Sequence, residues 1–534
     1  MLTNSPYKLE LFTAQSGFLS ARLVSDDEQV IHLHSIVKPE NEARFFDSLT
    51  IWGDKIILLG TGLGYHSYNL LCSCQKDVLV IDYYQECVDK CISLLSESGC
   101  NFQSISSLNT DTGMIVDNFL KDAKNVQIIK HPASYMANKN FYDTVLGVKD
   151  FKSGTKHTIG KVLILSGSFF LQEEIKNAVK SIGLDTSLFN INETDGILDY
   201  DSKLQAILQK EKPDLVISVN MLGFDSMGIL GDLTNKNGIP VVVWFVDDPR
   251  PILLHQKQFI KNNMFAFTWE RNFLSFLNTC GFNKAEYLPL ATDPQIFLPD
   301  GPVLRRAELG FIGSSMGRRF LQNIADKFLY RKELEPLVNS IARKLIAEPA
   351  CDLNKEIHET CSNVYNDNRN QTWFQSYIIH TASMLKRKML IEKLIPSGIE
   401  ISGDPQGWHE LLGMDIICHE DIDYRNSLAS AYRGITININ STSCQMATAV
   451  NQRVFDIPVC GSFVLTDNQP DLHYLFEKDE VAVYDTPEEL IEKVKYFKKD
   501  SDARNRIVQK ARIRILGEHT YSHRLRQIIE KICM

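Results

Sequence analysis

Three times along this chain an apolar strand runs directly into a turn of small residues: KIILLGTGLGYH at 55–66, KVLILSGSFF at 161–170 and ELGFIGSS at 308–315. A short run that is apolar on both faces belongs in the middle of a parallel sheet. Gly and Ser after it let the backbone turn tightly at the carboxyl end of the strand, where doubly wound sheets receive ligands. Each segment therefore reads as the first βα turn of its own sheet, and the fold class is α/β with three Rossmann-like domains. The openings lie roughly 100–150 residues apart, the size of ordinary domains. Two polar stretches punctuate them, KDFKSGTKHTIG (149–160) and LPDGPVLRRAE (298–308). The expected units are 1–152, 158–300 and 301–534. SARLVSD and QVIHLHS form hairpin arms ahead of the first sheet, and a mostly helical insertion at about 318–396 interrupts the third unit.

Composition excludes several classes of function. A net charge of −9 over 534 residues argues against a general nucleic-acid binder. No apolar run reaches the roughly 18–20 residues of a transmembrane segment. The first residues, MLTNSPYKLELF, lack a secretory pattern. The 12 cysteines form no CxxC pair; Cys72 and Cys74 make only a CxC, so reduced thiols in a cytoplasmic protein are expected. No metal site is assigned, since DIDY (421–424) precedes a helix and reads as a cap.

The segment NQRVFDIPVCGSFVLTDNQPDLHYLF (451–476) carries the most chemistry. Asp456 ends a helix five positions before Gly461, with Arg453 on the same helical face. A strand at Phe463–Leu465 follows and leads to Asp467. The arrangement resembles the donor site of nucleotide-sugar enzymes with two Rossmann domains, where a carboxylate so placed accepts hydrogen bonds from ribose hydroxyls and the loop after the strand faces a pyrophosphate and sugar. In the second unit, Asp247 and Asp248 end the buried strand VVVWFV and precede Pro249. That puts both at a cleft mouth, where one can act as a base or orient an acceptor; DDP is also good turn and N-cap chemistry, and spacing does not choose between the two aspartates.

Six motifs in order, WFVDDPRP (244–251), EYLPLATDPQIF (286–297), LGFIGSSMGRR (309–319), ISGDPQGW (401–408), NQRVFDIPVCGSFVLTD (451–467) and EHTYSHR (518–524), resemble the CgeB-like (spore-maturation-protein type) glycosyltransferases, a branch of the group-1 enzymes. The resemblance covers roughly residues 160–530. It implies that the last two domains form a GT-B glycosyltransferase that is metal-independent, needs no cofactor and uses a nucleotide-sugar donor, UDP-sugar by default. It further implies donor contacts at Gly313 and Ser314 with Arg318 or Arg319 on the diphosphate. Gly403, Asp404 and Trp408 are expected on the base, and Arg453, Asp456 and Asp467 around the ribose and phosphates. Group-1 enzymes more often have Glu at 456 and a second Glu eight residues earlier, where this chain has Thr448.

In the first unit, Asp82 follows Gly64 by one βα spacing, as in a nucleoside-binding site. S-adenosylmethionine-dependent methyl transfer is therefore an alternative activity. Against it, HSIVKPENEARFFDSL (34–49) with LLGTGLGYH resembles the motility-accessory-factor type proteins linked to flagellin modification. That resemblance implies an accessory domain and a protein (flagellin-like) or surface-glycan acceptor. A non-catalytic module that binds nucleotide-sugar or acceptor is the third reading.

Overall fold

The computed structural model describes the chain apart from residues 1–4, 27, 45–48, 50, 52, 69–75, 96–101, 124–125, 147–158, 168–170, 350, 354, 358–366 and 534. Cys72, Cys74, most of the expected linker at 149–160 and part of the motif at 34–49 thus lie outside the described residues.

The chain is an α/β protein built on three parallel sheets. A small antiparallel sheet precedes them: Tyr7–Thr13 pairs with Leu19–Ser25, which pairs with Val30–His32. The last two are the expected hairpin arms. The first parallel sheet runs Phe102–Ile105, Asp77–Ile81, Lys55–Leu59, Val126–Lys130, which is third, second, first, fourth in chain order. The second runs Lys284–Tyr287, Met264–Thr268, Val241–Phe245, Leu215–Val219, Lys161–Ser166, Asp185–Asn190. The third runs Cys418–His419, Ile399–Ser402, Ala307–Ile312, Ile435–Asn440, Val464–Asp467, Ala482–Tyr484. Each sheet reverses its winding beside its opening strand, and such a reversal leaves a crevice at the strands' carboxyl ends. The central strands, VVVWF and LVISV among them, are buried at every position, as strands covered by helices on both faces must be.

Between the first two strands of the third sheet lie Arg318–Ala325, Glu335–Ala347 and the 27-residue helix Asn368–Leu394. They share an apolar core around Ile341, Phe374 and Ile378. The Asp367 carboxylate caps the long helix by accepting from the Asn370 N–H at 2.9 Å.

Several contacts among the described residues fix the units against one another. The last helix, Tyr521–Cys533, follows the third unit in sequence but packs on Gln172–Ser181 of the second, so one apolar cluster runs through both. Arg524 is buried there and donates to the carbonyls of Pro289 (2.8 Å) and Leu290 (3.0 Å). The first unit is held partly by its edge strand and partly by Tyr135 and Lys139, which meet Asp232 of the second unit at 2.9 and 2.6 Å. Gln205 of the second unit accepts from the Ile128 N–H (3.0 Å) and donates to the Ile128 carbonyl (2.7 Å), occupying backbone groups that an open edge leaves exposed.

Candidate functional site

The crevices of the second and third sheets open onto one cavity of about 360 Å³. Asp247 and Trp269 line it from the second unit; Ser314, Arg387, Arg453 and Asp456 line it from the third. A larger cavity, about 920 Å³, lies among the inserted helices and the helix Pro405–Leu412. The smaller one draws residues from both units and from the ends of their strands, and it is the candidate site.

Asp456 sits on the helix Arg453–Val459, only 2 % exposed, and accepts from the Thr292 Oγ1 of the second unit at 2.7 Å. Burial pushes its pKa well above the usual carboxylate range, and the Glu174 charge adds to this. Its charged form is costly in the protein alone, and hydrogen-bond donors from a ligand offset that cost.

Two guanidiniums converge on the same cavity. Arg453 is half-buried, and the Cβ of any larger residue at Gly313 would stand 3.2 Å from its Nη2. Arg387, on the long helix, is buried and donates to the Ser314 carbonyl at 2.6 Å. Burial, reinforced by Arg453, lowers its pKa to about 9. Two cations brought together out of water favour an anion between them. Arg387 was not among the residues expected from sequence. Its signal was there: Ser383, Arg387, Leu390, Ile391 and Leu394 share the buried face of the helix, and one member carries a charge.

Asp467 is buried with both oxygens engaged. Oδ1 accepts from the Thr442 N–H (3.0 Å) and Oγ1 (2.9 Å), and Oδ2 accepts from Lys386 Nζ (2.7 Å) and Gln469 Nε2 (3.0 Å). Burial works to raise its pKa, but the Lys386 ammonium and these donors outweigh it and hold the pKa low. Asp467 therefore shapes the loop after Ile435–Asn440 from beneath.

Gly403, Asp404 and Trp408 join two other loops. Gly403 has φ +108°, and a Cβ there would come within 3.3 Å of the Gly313 backbone. Asp404 caps Pro405–Leu412 by accepting from the Gly407 N–H (3.1 Å), and it also accepts from the Ser315 N–H (3.1 Å). Trp408 is 0 % exposed, stands edge-on to Phe311 and donates its indole N–H to the Gly313 carbonyl at 3.0 Å. Its ring supports the Gly313–Ser314 turn and offers no open face for stacking. Arg318 and Arg319 are exposed at a helix start; Arg318 lines the larger cavity, not the candidate site.

The paired aspartates of the second unit separate cleanly. Asp248 caps Pro249–Leu253, accepting from the Arg250 N–H at 2.9 Å, and pairs with the Arg250 guanidinium. Asp247 faces the cavity, accepting from Asn220 Nδ2 (2.8 Å) and, across the cleft, from Gln445 Nε2 (3.3 Å). Burial raises its pKa. Glu270 also crosses the cleft, accepting from the N–H (2.8 Å) and Oγ1 (2.9 Å) of Thr448.

In the first unit Asp82 turns onto its own glycine loop. Oδ2 accepts from the N–H groups of Thr61 (2.6 Å) and Gly62 (3.3 Å), and Oδ1 accepts from the Tyr84 N–H (3.1 Å). Burial raises its pKa to about 6.

Residues 385–530 match a family model described as glycosyl transferase-like. Among solved structures, the chain is similar to a sucrose-phosphate synthase from Thermosynechococcus elongatus (10% identity, TM-score 0.39, covering 70% of this chain and 98% of that one). It is also similar to Anabaena HepE in complex with UDP and glucose (12%, 0.39, 70% and 99%). A third is the T4 phage BGT in complex with its UDP-glucose substrate (10%, 0.38, 70% and 99%). No curated protein matches the chain.

Proposed function

We propose that this protein is a GT-B glycosyltransferase that moves a sugar from a nucleoside diphosphate to an acceptor hydroxyl in the cleft between its second and third units. The observation that carries this reading is the convergence of Asp456, Arg387 and Arg453 on one cavity, with Asp247 facing them from the other unit. The glycosyl transferase-like match over residues 385–530 supports it. UDP and UDP-glucose, held by two of the similar structures, make a UDP-sugar the first donor to test.

Asp456 accepts the ribose hydroxyls, and Arg387 and Arg453 meet the diphosphate. The acceptor oxygen bonds to the anomeric carbon as that carbon's bond to the diphosphate oxygen breaks. The pair of electrons leaves with the nucleoside diphosphate, whose growing charge falls between the guanidiniums. Asp247 takes the acceptor proton, a task its raised pKa suits, and Asn220 and Gln445 hold it in place. The first unit is an accessory domain that helps recognise the acceptor, a flagellin-like protein or a surface glycan, in the cytoplasm. Methyl transfer there is disfavoured, because Asp82 already spends its oxygens on its own loop.

Hydrogen–deuterium exchange with and without UDP tests the assignment. Protection is expected at 313–317 and 441–456. Protection confined to the glycine loop of the first unit, or none at saturating UDP, would sink it.

A further inference from the structure

His34, His66 and His131 cluster in the first unit, far in sequence from the cleft residues. All three are buried, and one ring nitrogen of each lies within 4.8 Å of the other two. They come from separate elements. His66 follows the glycine turn after Lys55–Leu59, and His131 follows Val126–Lys130. Those two strands are neighbours across the winding reversal of the first sheet, where a sheet of this kind receives its ligand. His34 reaches in from the N-terminal antiparallel sheet. It lies so close over the turn that a Cβ on Gly62 would stand 2.3 Å from its Nε2. Gly62 also has φ +50°, so the turn is built to admit an imidazole.

The rings lie close together: His66 and His131 stack with centroids 4.0 Å apart, and His34 stands 5.5 Å from each. Nε2 of His34 accepts from the Leu63 N–H at 2.7 Å, which puts the ring proton on Nδ1, 2.6 Å from the Glu42 carboxylate. Nδ1 of His131 lies 2.6 Å from Ser134 Oγ and accepts from the Ser134 N–H at 3.4 Å. The Glu42 carboxylate behind His34, fixing its tautomer, is the outer support that metal-binding histidines require.

We propose that His34, His66 and His131 form a site for a divalent transition-metal ion of the zinc class, which ties the N-terminal sheet to the first Rossmann-like unit. Three neutral imidazoles suit such an ion, and the fourth position is left to water. Tetrahedral bonds of about 2.0–2.1 Å place ligand nitrogens about 3.3 Å apart, so on binding the rings draw in by roughly 1 Å, and His66 and His131 turn out of their stack, since the lone pairs of parallel rings do not converge. The ion takes over the Nε2 lone pair that Leu63 now engages.

The test uses untagged full-length protein, stripped with a chelator and titrated with Co²⁺, then challenged with Zn²⁺. One Co²⁺ per chain is expected, with the visible absorption of four-coordinate cobalt, bleached by one equivalent of Zn²⁺. His66→Gln and His131→Gln should abolish the signal, while Glu42→Gln weakens binding by about 10–100-fold. Far-ultraviolet circular dichroism and UDP binding report whether each variant is folded. Failure of the wild-type chain to take up a stoichiometric ion overturns the proposal, whatever the variants do. Uptake that survives in both folded histidine variants overturns it as well.

Discussion

Asp247 and Asp248 are adjacent, carry the same side chain and precede the same proline, yet they have opposite fates. Asp248 is consumed by a helix cap and Arg250, while Asp247 keeps a face on the cavity. Asp247→Asn is expected to spare UDP binding and to lower transfer by about 10²–10⁴-fold, as for loss of a general base. In the proposed role Asp247 acts only when ionised, so the wild-type rate should fall as pH drops through a pKa above the usual aspartate value, and this acid limb should vanish in the variant. Asp248→Asn should instead lower stability by about 1–3 kcal/mol, read by denaturant melts, because it leaves the Arg250 guanidinium poorly matched. Equal effects of both substitutions on transfer alone would remove the distinction.

Asp456 poses a different balance. Its folded pKa is raised, so between the unfolded pKa and the folded one the native state binds more protons, and stability falls as pH rises through that window. Above it the ionised side chain is a burden on the empty protein. Asp456→Asn should therefore raise the melting temperature at pH 8 and still weaken UDP binding. A variant that melts lower and binds UDP normally would mean that Asp456 is a structural residue.

At the scale of elements, the legible parts were those whose signal is local. Fully apolar strands such as Val241–Phe245 announce burial on both faces, and Gly and Ser after three of them mark the sheet openings. The strand Asp185–Asn190 was missed because it is a sheet edge, with a polar sequence that no periodicity distinguishes from a loop. Arg387 was missed for a related reason. Its helix reads as an insertion, and nothing in a helical repeat says that one buried position faces a turn 73 residues upstream. Trp408 shows the converse: the resemblance implied a contact to the base, whereas Phe311 and the Gly313 carbonyl enclose its ring. Arg387→Ala should weaken UDP binding by about 1.5–3 kcal/mol, the typical size of a charged hydrogen bond, while Arg318→Ala leaves it unchanged. Calorimetric titration decides, and the reverse ranking would return the diphosphate to the start of the helix Arg318–Ala325.

At the scale of the molecule, the last helix is the part that sequence could not place. An amphipathic pattern shows that a helix has a buried face but not which domain receives it. Tyr521–Cys533 lies on the second unit, beside Trp244, and its Arg524 satisfies carbonyls of that unit. Arg524→Ala should cost about 3 kcal/mol or more, since it leaves buried acceptors without donors. An unchanged melting temperature would show that the crossing helix does not brace the two units. That brace matters because the candidate site belongs to neither unit alone: Thr292 holds Asp456, and Gln445 holds Asp247, each across the cleft.

Binding of a nucleoside diphosphate in this cleft is tested by a thermal-shift screen of the intact chain against UDP, GDP, CDP, dTDP and S-adenosylmethionine. A ligand at a hundred times its dissociation constant adds about 2.7 kcal/mol, enough to be seen. The expected result is a shift with one nucleoside diphosphate, UDP first among them, that Asp456→Ala abolishes. A shift with S-adenosylmethionine and with none of the diphosphates would contradict it and move the chemistry to the glycine loop of the first unit.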